Sequence, residues 1–304
     1  MTKYMISLLL ILLVIPCYAD RDKLYVVSTT GMIADALENV GGDLITVDSL
    51  MGPGVDPHLY KATANDTKKL ARADIIFYNG LHLEGKMQKI LMTMSRRKIV
   101  CAITNGIPES KLIKPEGFDG LHDPHIWFNV SLWQEAVKKI TGVLCGVDQK
   151  NAQAYQKNSE AYIKKLQTLH SWAQQQINLI PQKSRVLITA HDAFGYMGKA
   201  YGFEVMGLQG VSTVTESGIK DIERIVQVIV SRNIKAIFEE TSVMNKGVEA
   251  VIEHCKELGH EVKMGGSLFS DAMGEPGTIE GTYVGMVEHN VKTIVRALSS
   301  TDKE

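Results

Sequence analysis

The sequence predicts an α/β protein of two lobes, each a mostly parallel sheet flanked by helices, joined by one long backbone helix. Three observations predict it. Strand-like and helical stretches alternate from residue 24 to residue 145, the pattern of parallel βα units with helices on both faces of a sheet. Residues 148–181 break that rhythm, with Tyr155, Tyr162, Leu166, Leu169, Ala173, Ile177 and Ile180 at intervals of three, four or seven and no glycine or proline before Pro181. After Pro181 the alternation resumes. A helix of about 30 residues is about 45 Å long, longer than one lobe needs, so it is read as a rod spanning both. A chain of 304 residues suits two lobes of roughly 130–150 residues each. The expected division is a signal peptide at 1–19, an N-terminal lobe at 20–147, the linking helix at 148–181 and a C-terminal lobe at 182–304.

The N-terminus is an export signal by its pattern. Lys3 precedes the apolar run 8–15, too short to cross a bilayer, and Cys17-Tyr18-Ala19 has the small-x-small form of a cleavage site. Cleavage after Ala19 is expected, giving a periplasmic protein with no membrane span. The rival is lipidation at Cys17; proline directly before that cysteine disfavours it. Cys101, Cys145 and Cys255 then remain, an odd number with no CxxC spacing, and are expected as small buried hydrophobes. A net charge of −1 with no basic stripe or block gives no footprint for nucleic acid or an anionic membrane surface.

In order, residues 24–28 read as a strand and 32–40 as a helix, because Ile33, Leu37 and Val40 share one helical face. Residues 44–50 are strand-like and run into Met51-Gly-Pro-Gly-Val-Asp-Pro-His-Leu-Tyr60, a loop that two glycines and two prolines make rigid. A short helix at 63–71, a strand at 74–78, a helix at 84–94 and a strand at 98–103 follow. The loop 104–124 holds three prolines and three glycines. A helix at 132–145 is expected to be capped by Asn129 or Ser131. Beyond the rod come a strand at 185–189, a helix at 193–201 and a strand at 203–208. A Thr/Ser-rich loop at 209–217 leads to an amphipathic helix at 219–231. A strand at 235–238, a helix at 246–258, a strand at 261–264, a loop at 265–271 and a closing helix at 282–298 complete the chain.

Four loops carry metal-type ligands. Asp56-Pro57-His58 is repeated as Asp123-Pro124-His125; a third loop gives Ala190-His191-Asp192 and a fourth Ser270-Asp271-Ala272. Each follows a predicted strand, the place where open parallel sheets bind ligands. A lone loop histidine is usually only a solvated residue, and the chain has nine histidines. His170, His254, His260 and His289 fall on helices or at their ends and are read as structural. His58, His125 and His191 differ because each ends a restricted turn, and proline fixes the backbone before the first two. Three imidazoles and a carboxylate would make a closed four-ligand site for a divalent cation. His122 and His82 are competitors, ranked below the four as rim or supporting groups.

The strings Gly54-Val-Asp-Pro-His58, Tyr78-Asn-Gly-Leu-His-Leu-Glu84, Asp123-Pro-His-Ile-Trp-Phe128, Ala190-His-Asp-Ala-Phe-Gly-Tyr196 and Ser270-Asp-Ala-Met-Gly274 resemble the zinc/manganese-binding receptors of ABC importers, of the TroA-like branch. The resemblance runs over essentially the whole mature chain. It implies metal held between two α/β lobes by His58, His125, His191 and Asp271, with Zn²⁺ or Mn²⁺ as transported substrate. It also implies an ABC permease with its ATPase as partners, a monomeric receptor and no catalysis. His191 resembles the three-histidine members, since some manganese receptors carry Glu there. The long His- and Asp-rich loop of many zinc receptors is missing, and Asn129 stands where many relatives have Asp. Two other readings of the same ligands are a metal-dependent hydrolase, with Asp192 or Glu84 as base, and a metal-clamped surface adhesion module. The sequence contains no HExxH and no HxHxDH, which counts against the hydrolase.

Overall fold

The protein is described by a computed structural model over residues 23–299, so the expected signal peptide and Cys17 lie outside the described residues. The first half is a four-stranded parallel sheet in the order β2-β1-β3-β4, built from β1 (Leu24–Ser28), β2 (Ile45–Ser49), β3 (Ile75–Tyr78) and β4 (Ile99–Ala102). Between them run α1 (Gly31–Gly41), α2 (Ala64–Arg72) and α3 (Gln88–Ser95). Val26, Val27, Ile75, Ile76 and Phe77 are all buried, as a sheet covered on both faces requires. Placing β1 between β2 and β3 reverses the winding direction there, and the loops after β2 and β4 open on the same strand-end side.

After α4 (Val130–Val147), α5 (Ala152–Ile177) forms the rod: 26 residues, about 39 Å long. The expected helix over 148–181 is trimmed at both ends. The Asp148 carboxylate accepts hydrogen bonds from Asn151 Nδ2 and Tyr155 Oη at 2.7 Å, which fixes a 3-10 turn at Gln149–Asn151 before the helix starts. Pro181 is extended and begins another short turn. Tyr155, Ser159, Tyr162, Leu166, Leu169, Ala173 and Ile177 form the buried stripe of α5, at the spacing expected of one helix face.

The second half contains β5 (Val186–His191), α6 (Gly195–Tyr201), β6 (Glu204–Gln209), α7 (Ile219–Arg232), β7 (Ala236–Glu240), α8 (Lys246–Glu257), β8 (Lys263–Leu268) and α9 (Tyr283–Leu298). Its strands hydrogen-bond as two parallel pairs, β5–β6 and β7–β8, with β5 beside β7. Several expected boundaries shift. The helix expected at 193–201 begins at Gly195. Gly265 and Gly266, read as loop, are strand residues of β8 at a bulge in its pairing with β7. A Cβ on Gly265 would lie 2.6 Å from Phe238, and one on Gly266 2.6 Å from Thr293. These glycines permit close packing of β8 on its neighbours.

One continuous apolar cluster runs from Val26 through Trp127 and Trp133, along α5, to Phe194, Phe238 and Leu298. α1 and α4 pack on α5 from one side of the chain's midpoint, and α6 and α9 from the other. Polar bonds reinforce this packing: Tyr162 Oη of α5 donates to Asp35 of α1 at 2.6 Å, while Tyr283 Oη to the Trp127 carbonyl at 2.6 Å and Trp127 Nε1 to the Ser270 carbonyl at 3.0 Å join the two halves. Shared packing of this kind resists a wide hinge, because cores repack rather than stretch. Among the described residues the three cysteines form no disulfide; Cys101 and Cys255 are buried and Cys145 is half-buried.

Candidate metal centre

The loop after β2 reaches His58 through a locally fixed path. Gly54 has φ +69, a conformation that strains any residue with a Cβ. Asp56 Oδ1 accepts the backbone N–H of His58 at 2.8 Å, bridging the turn over Pro57. Downstream, Tyr60 Oη donates to Asp66 at 2.6 Å, and Asp66 closes the capping box of α2 with Thr63. The loop is therefore fastened at both ends.

Asp123-Pro124-His125 repeats the turn with one addition. Asp123 Oδ1 accepts both the His125 backbone N–H at 2.9 Å and its ring Nδ1–H at 2.7 Å. Nδ1 is thereby occupied and Nε2 points to the centre. Gly195 is required beside it, since a Cβ there would sit 2.9 Å from Asp123 Oδ2. Asn79 Nδ2 supports the same turn by donating to the Pro124 carbonyl at 3.0 Å.

His191 is the last residue of β5 rather than a loop residue. Glu240, at the end of β7, accepts its backbone N–H at 2.8 Å and its Nδ1–H at 2.5 Å. Asp271 follows β8 by three residues, and its backbone N–H meets Ser242 Oγ at 3.4 Å.

Structure and sequence meet at the centre. His58, His125, His191 and Asp271 are 3%, 0%, 0% and 2% exposed. Their ligand atoms lie within 4.8 Å of one another, the one such grouping found among the described residues. His58 Nε2 is 3.3 Å from His125 Nε2, and the Asp271 oxygens are 3.3 Å from His125, 3.4 Å from His191 and 3.8 Å from His58. A tetrahedron with ligand bonds of about 2.0–2.1 Å has edges of about 3.3 Å, so the donor set fits a small divalent cation. His191 Nε2 and both Asp271 oxygens have no hydrogen-bond partner although buried. Convergent buried lone pairs of this kind call for a cation.

Charge in the centre is unequal. Burial pushes the His58 imidazole down to about 3, so it is neutral. Burial also works against the charged form of His125, but Asp123 and Asp271 prevail and raise it to about 9. His191 is likewise raised, with Glu240 and Asp271 overcoming burial. The same two imidazoles hold Asp271 well below the usual carboxylate range despite its burial.

The competing residues fall elsewhere. His82 is exposed, with φ +66, and His122 lies 3.6 Å from Glu109; neither joins the four. Glu84 is buried and occupied by Thr29 Oγ1 and the backbone N–H groups of Asn79 and Gly80. Asn129 caps α4 through the N–H groups of Ser131 and Leu132, as expected of one of the two candidate caps. His170, His260 and His289 bond to Tyr201 Oη and to the carbonyls of Ile234 and Ser267, in keeping with structural roles. Glu240 carries no motif in the sequence. Its only signal is an acidic residue at a strand's C-terminal end, with nothing to link it to a histidine 49 positions away.

Comparison with known proteins agrees over the same span. The manganese-binding lipoprotein MntA of Bacillus subtilis is 51% identical over 280 residues, 92% of this chain and 91% of that protein. The zinc-binding protein TroA of Treponema pallidum is 46% identical over 281 residues, again 92% and 91% of the two chains. The solved structure of the periplasmic zinc-binding protein TroA superposes with a TM-score of 0.89, covering 91% of this chain and 99% of that one. Residues 26–297 match the family described as ZnuA, zinc-uptake complex component A, periplasmic. With fold, chain coverage and identity in agreement, the chain belongs to the ZnuA family of metal-binding receptors.

Proposed function

We propose that this chain is an extracytoplasmic receptor that captures one Zn²⁺ or Mn²⁺ with His58, His125, His191 and Asp271 and passes it to an ABC permease driven by its ATPase. The observation that carries this is the convergence of four buried donors, two of whose imidazoles are aimed by carboxylates on Nδ1. Residues 20–147 and 182–304 are the two lobes in this reading, and 148–181 connects them. The relatives named for manganese and for zinc leave both ions in view. Three imidazoles and one carboxylate favour tetrahedral zinc, since manganese prefers more oxygen and a higher coordination number.

A hydrolase needs an open coordination position and a free base near it. Of the two candidate bases Glu84 is consumed by three hydrogen bonds, and the four proposed ligands would close the centre, which counts against a hydrolase. A metal clamp would hold lobes that otherwise part, whereas here one apolar core spans both halves. The reading as a carrier follows.

Calorimetric titration of chelator-stripped protein tests it. The expected result is one zinc per chain, bound more tightly than manganese, with the stripped protein retaining its circular dichroism. Affinity falls as pH falls below about 9, because His125 holds a proton there and metal must displace it. This moves the onset of the pH effect above the ordinary histidine value of about 6.5. Absence of stoichiometric binding, or an affinity flat from pH 9 to 6, overturns the ligand assignment.

The mature N-terminus concerns anchoring. The Bacillus relative is named a lipoprotein and the Treponema relative is not. The lipoprotein name weighs against the free form favoured from Pro16, and an anchor at Cys17 is the reading we adopt. Mass spectrometry of the mature protein decides: an acylated Cys17 supports the anchor, and a chain starting at Asp20 refutes it.

A further inference from the structure

The three imidazoles of the centre are not held alike. His125 and His191 are each gripped twice by one carboxylate, at the backbone N–H and at ring Nδ1. His58 is gripped once, through its backbone N–H on Asp56 Oδ1, and its ring Nδ1 meets no carboxylate among the described residues. The aim of His58 therefore depends on where the Asp56 carboxylate is held.

That carboxylate is held from across the cleft. Thr213, in the loop between β6 and α7, donates its hydroxyl to Asp56 Oδ2 at 2.5 Å. Thr213 is buried and Asp56 half-buried, so the bond is partly shielded from competing water, and hydrogen bonds to a charged acceptor are the stronger kind. One carboxylate thus joins the 209–217 loop of one lobe to the ligand-bearing turn of the other. The fit is close nearby as well: a Cβ on Gly54 would lie 3.5 Å from the Thr241 carbonyl.

We propose that Thr213 is a positioning residue, a latch that ties the His58 turn to the opposite lobe and so sets how long a captured ion is held. The proposal rests on the reading of His58 as a ligand. Because the four donors are buried, an ion leaves only when the lining moves. Of the three imidazoles His58 has the fewest restraints, and parting the loops that meet at its turn breaks the Thr213–Asp56 bond. His58 is then the first imidazole lost, ahead of the doubly gripped pair.

The test is release kinetics. Protein loaded with zinc is mixed with excess chromophoric chelator in a stopped-flow instrument, and association is measured separately. Thr213→Val, which keeps the shape and removes the donor, is expected to release zinc about tenfold faster with little change in association, the size expected for losing a charge-assisted hydrogen bond. Thr213→Ser, which keeps the hydroxyl, is expected to stay within about twofold of the parent. Thr213→Ala serves as a second variant should the valine disturb folding, judged by circular dichroism of the metal-free protein. Unchanged release in both Val and Ala variants overturns the latch, as does equal acceleration in Thr213→Ser. A His58→Ala control separates the two readings. If it loses affinity while Thr213→Val releases zinc normally, only the latch fails. If His58→Ala binds as the parent does, the ligand assignment itself is wrong.

Discussion

Asp271→Asn lowers zinc affinity by about 10²–10³-fold. Binding of zinc by four protein ligands is worth roughly 10–16 kcal/mol in total, so about 2.5–4 kcal/mol falls to each ligand, and about 1.4 kcal/mol corresponds to a decade. Asp271 supplies the only anionic ligand of the four, and anionic charge beside a divalent cation in a buried site counts for more than it would in water. Asparagine keeps the volume and one acceptor oxygen, so the loop after β8 retains its backbone bond to Ser242. A second effect has a definite sign. Asp271 is one of the groups holding protons on His125 and His191. Removing its charge lets those protons leave at lower pH, so competition weakens and the pH dependence of zinc binding becomes shallower in the variant. Parallel titrations of parent and variant at several pH values read both effects. An affinity within about threefold of the parent would remove Asp271 from the site.

The four candidate ligands that the fold brings together are legible in the sequence because strand-end position marks them locally, with proline before two of them. Asp56-Pro57-His58 and Asp123-Pro124-His125 carry their own turn chemistry, and in each the structure shows the aspartate accepting the histidine N–H two residues on. What was not legible is what local pattern does not encode. Glu240 grips His191 from a strand 49 residues away, and Thr213 reaches Asp56 across 157 positions; only the folded arrangement brings them together. The same limit explains the missed extent of β8. Gly265-Gly266 reads as a turn by propensity, yet its missing side chains are what allow Phe238, Thr293 and Ala297 to close on the strand. Tertiary packing overrode local preference there. The rod was legible from its apolar stripe, but its start was set by the Asp148 side chain, which periodicity does not register.

Glu240→Gln lowers zinc affinity about 10–100-fold, the range for removing a carboxylate that orients a metal-bound histidine, although the residue touches no metal. Glutamate suits its place because both of its oxygens accept, one from the His191 backbone N–H and one from Nδ1–H. Glutamine has one acceptor and one donor. If its oxygen serves the backbone N–H, its NH₂ faces Nδ1 and forces that nitrogen to become the acceptor. The ring proton then moves to Nε2, the atom that should meet the ion, and His191 becomes a donor pointed into the site. If the amide is turned the other way, NH₂ opposes a buried backbone N–H at the end of β5, at a cost of roughly 1–3 kcal/mol. Either orientation weakens capture. The histidine tautomer distinguishes this from simple loss of fold: nitrogen-detected NMR of the metal-free variant at high pH is expected to place the His191 proton on Nε2, where the parent carries it on Nδ1. A parent-like tautomer together with parent-like affinity would leave Glu240 as a strand-end contact and nothing more.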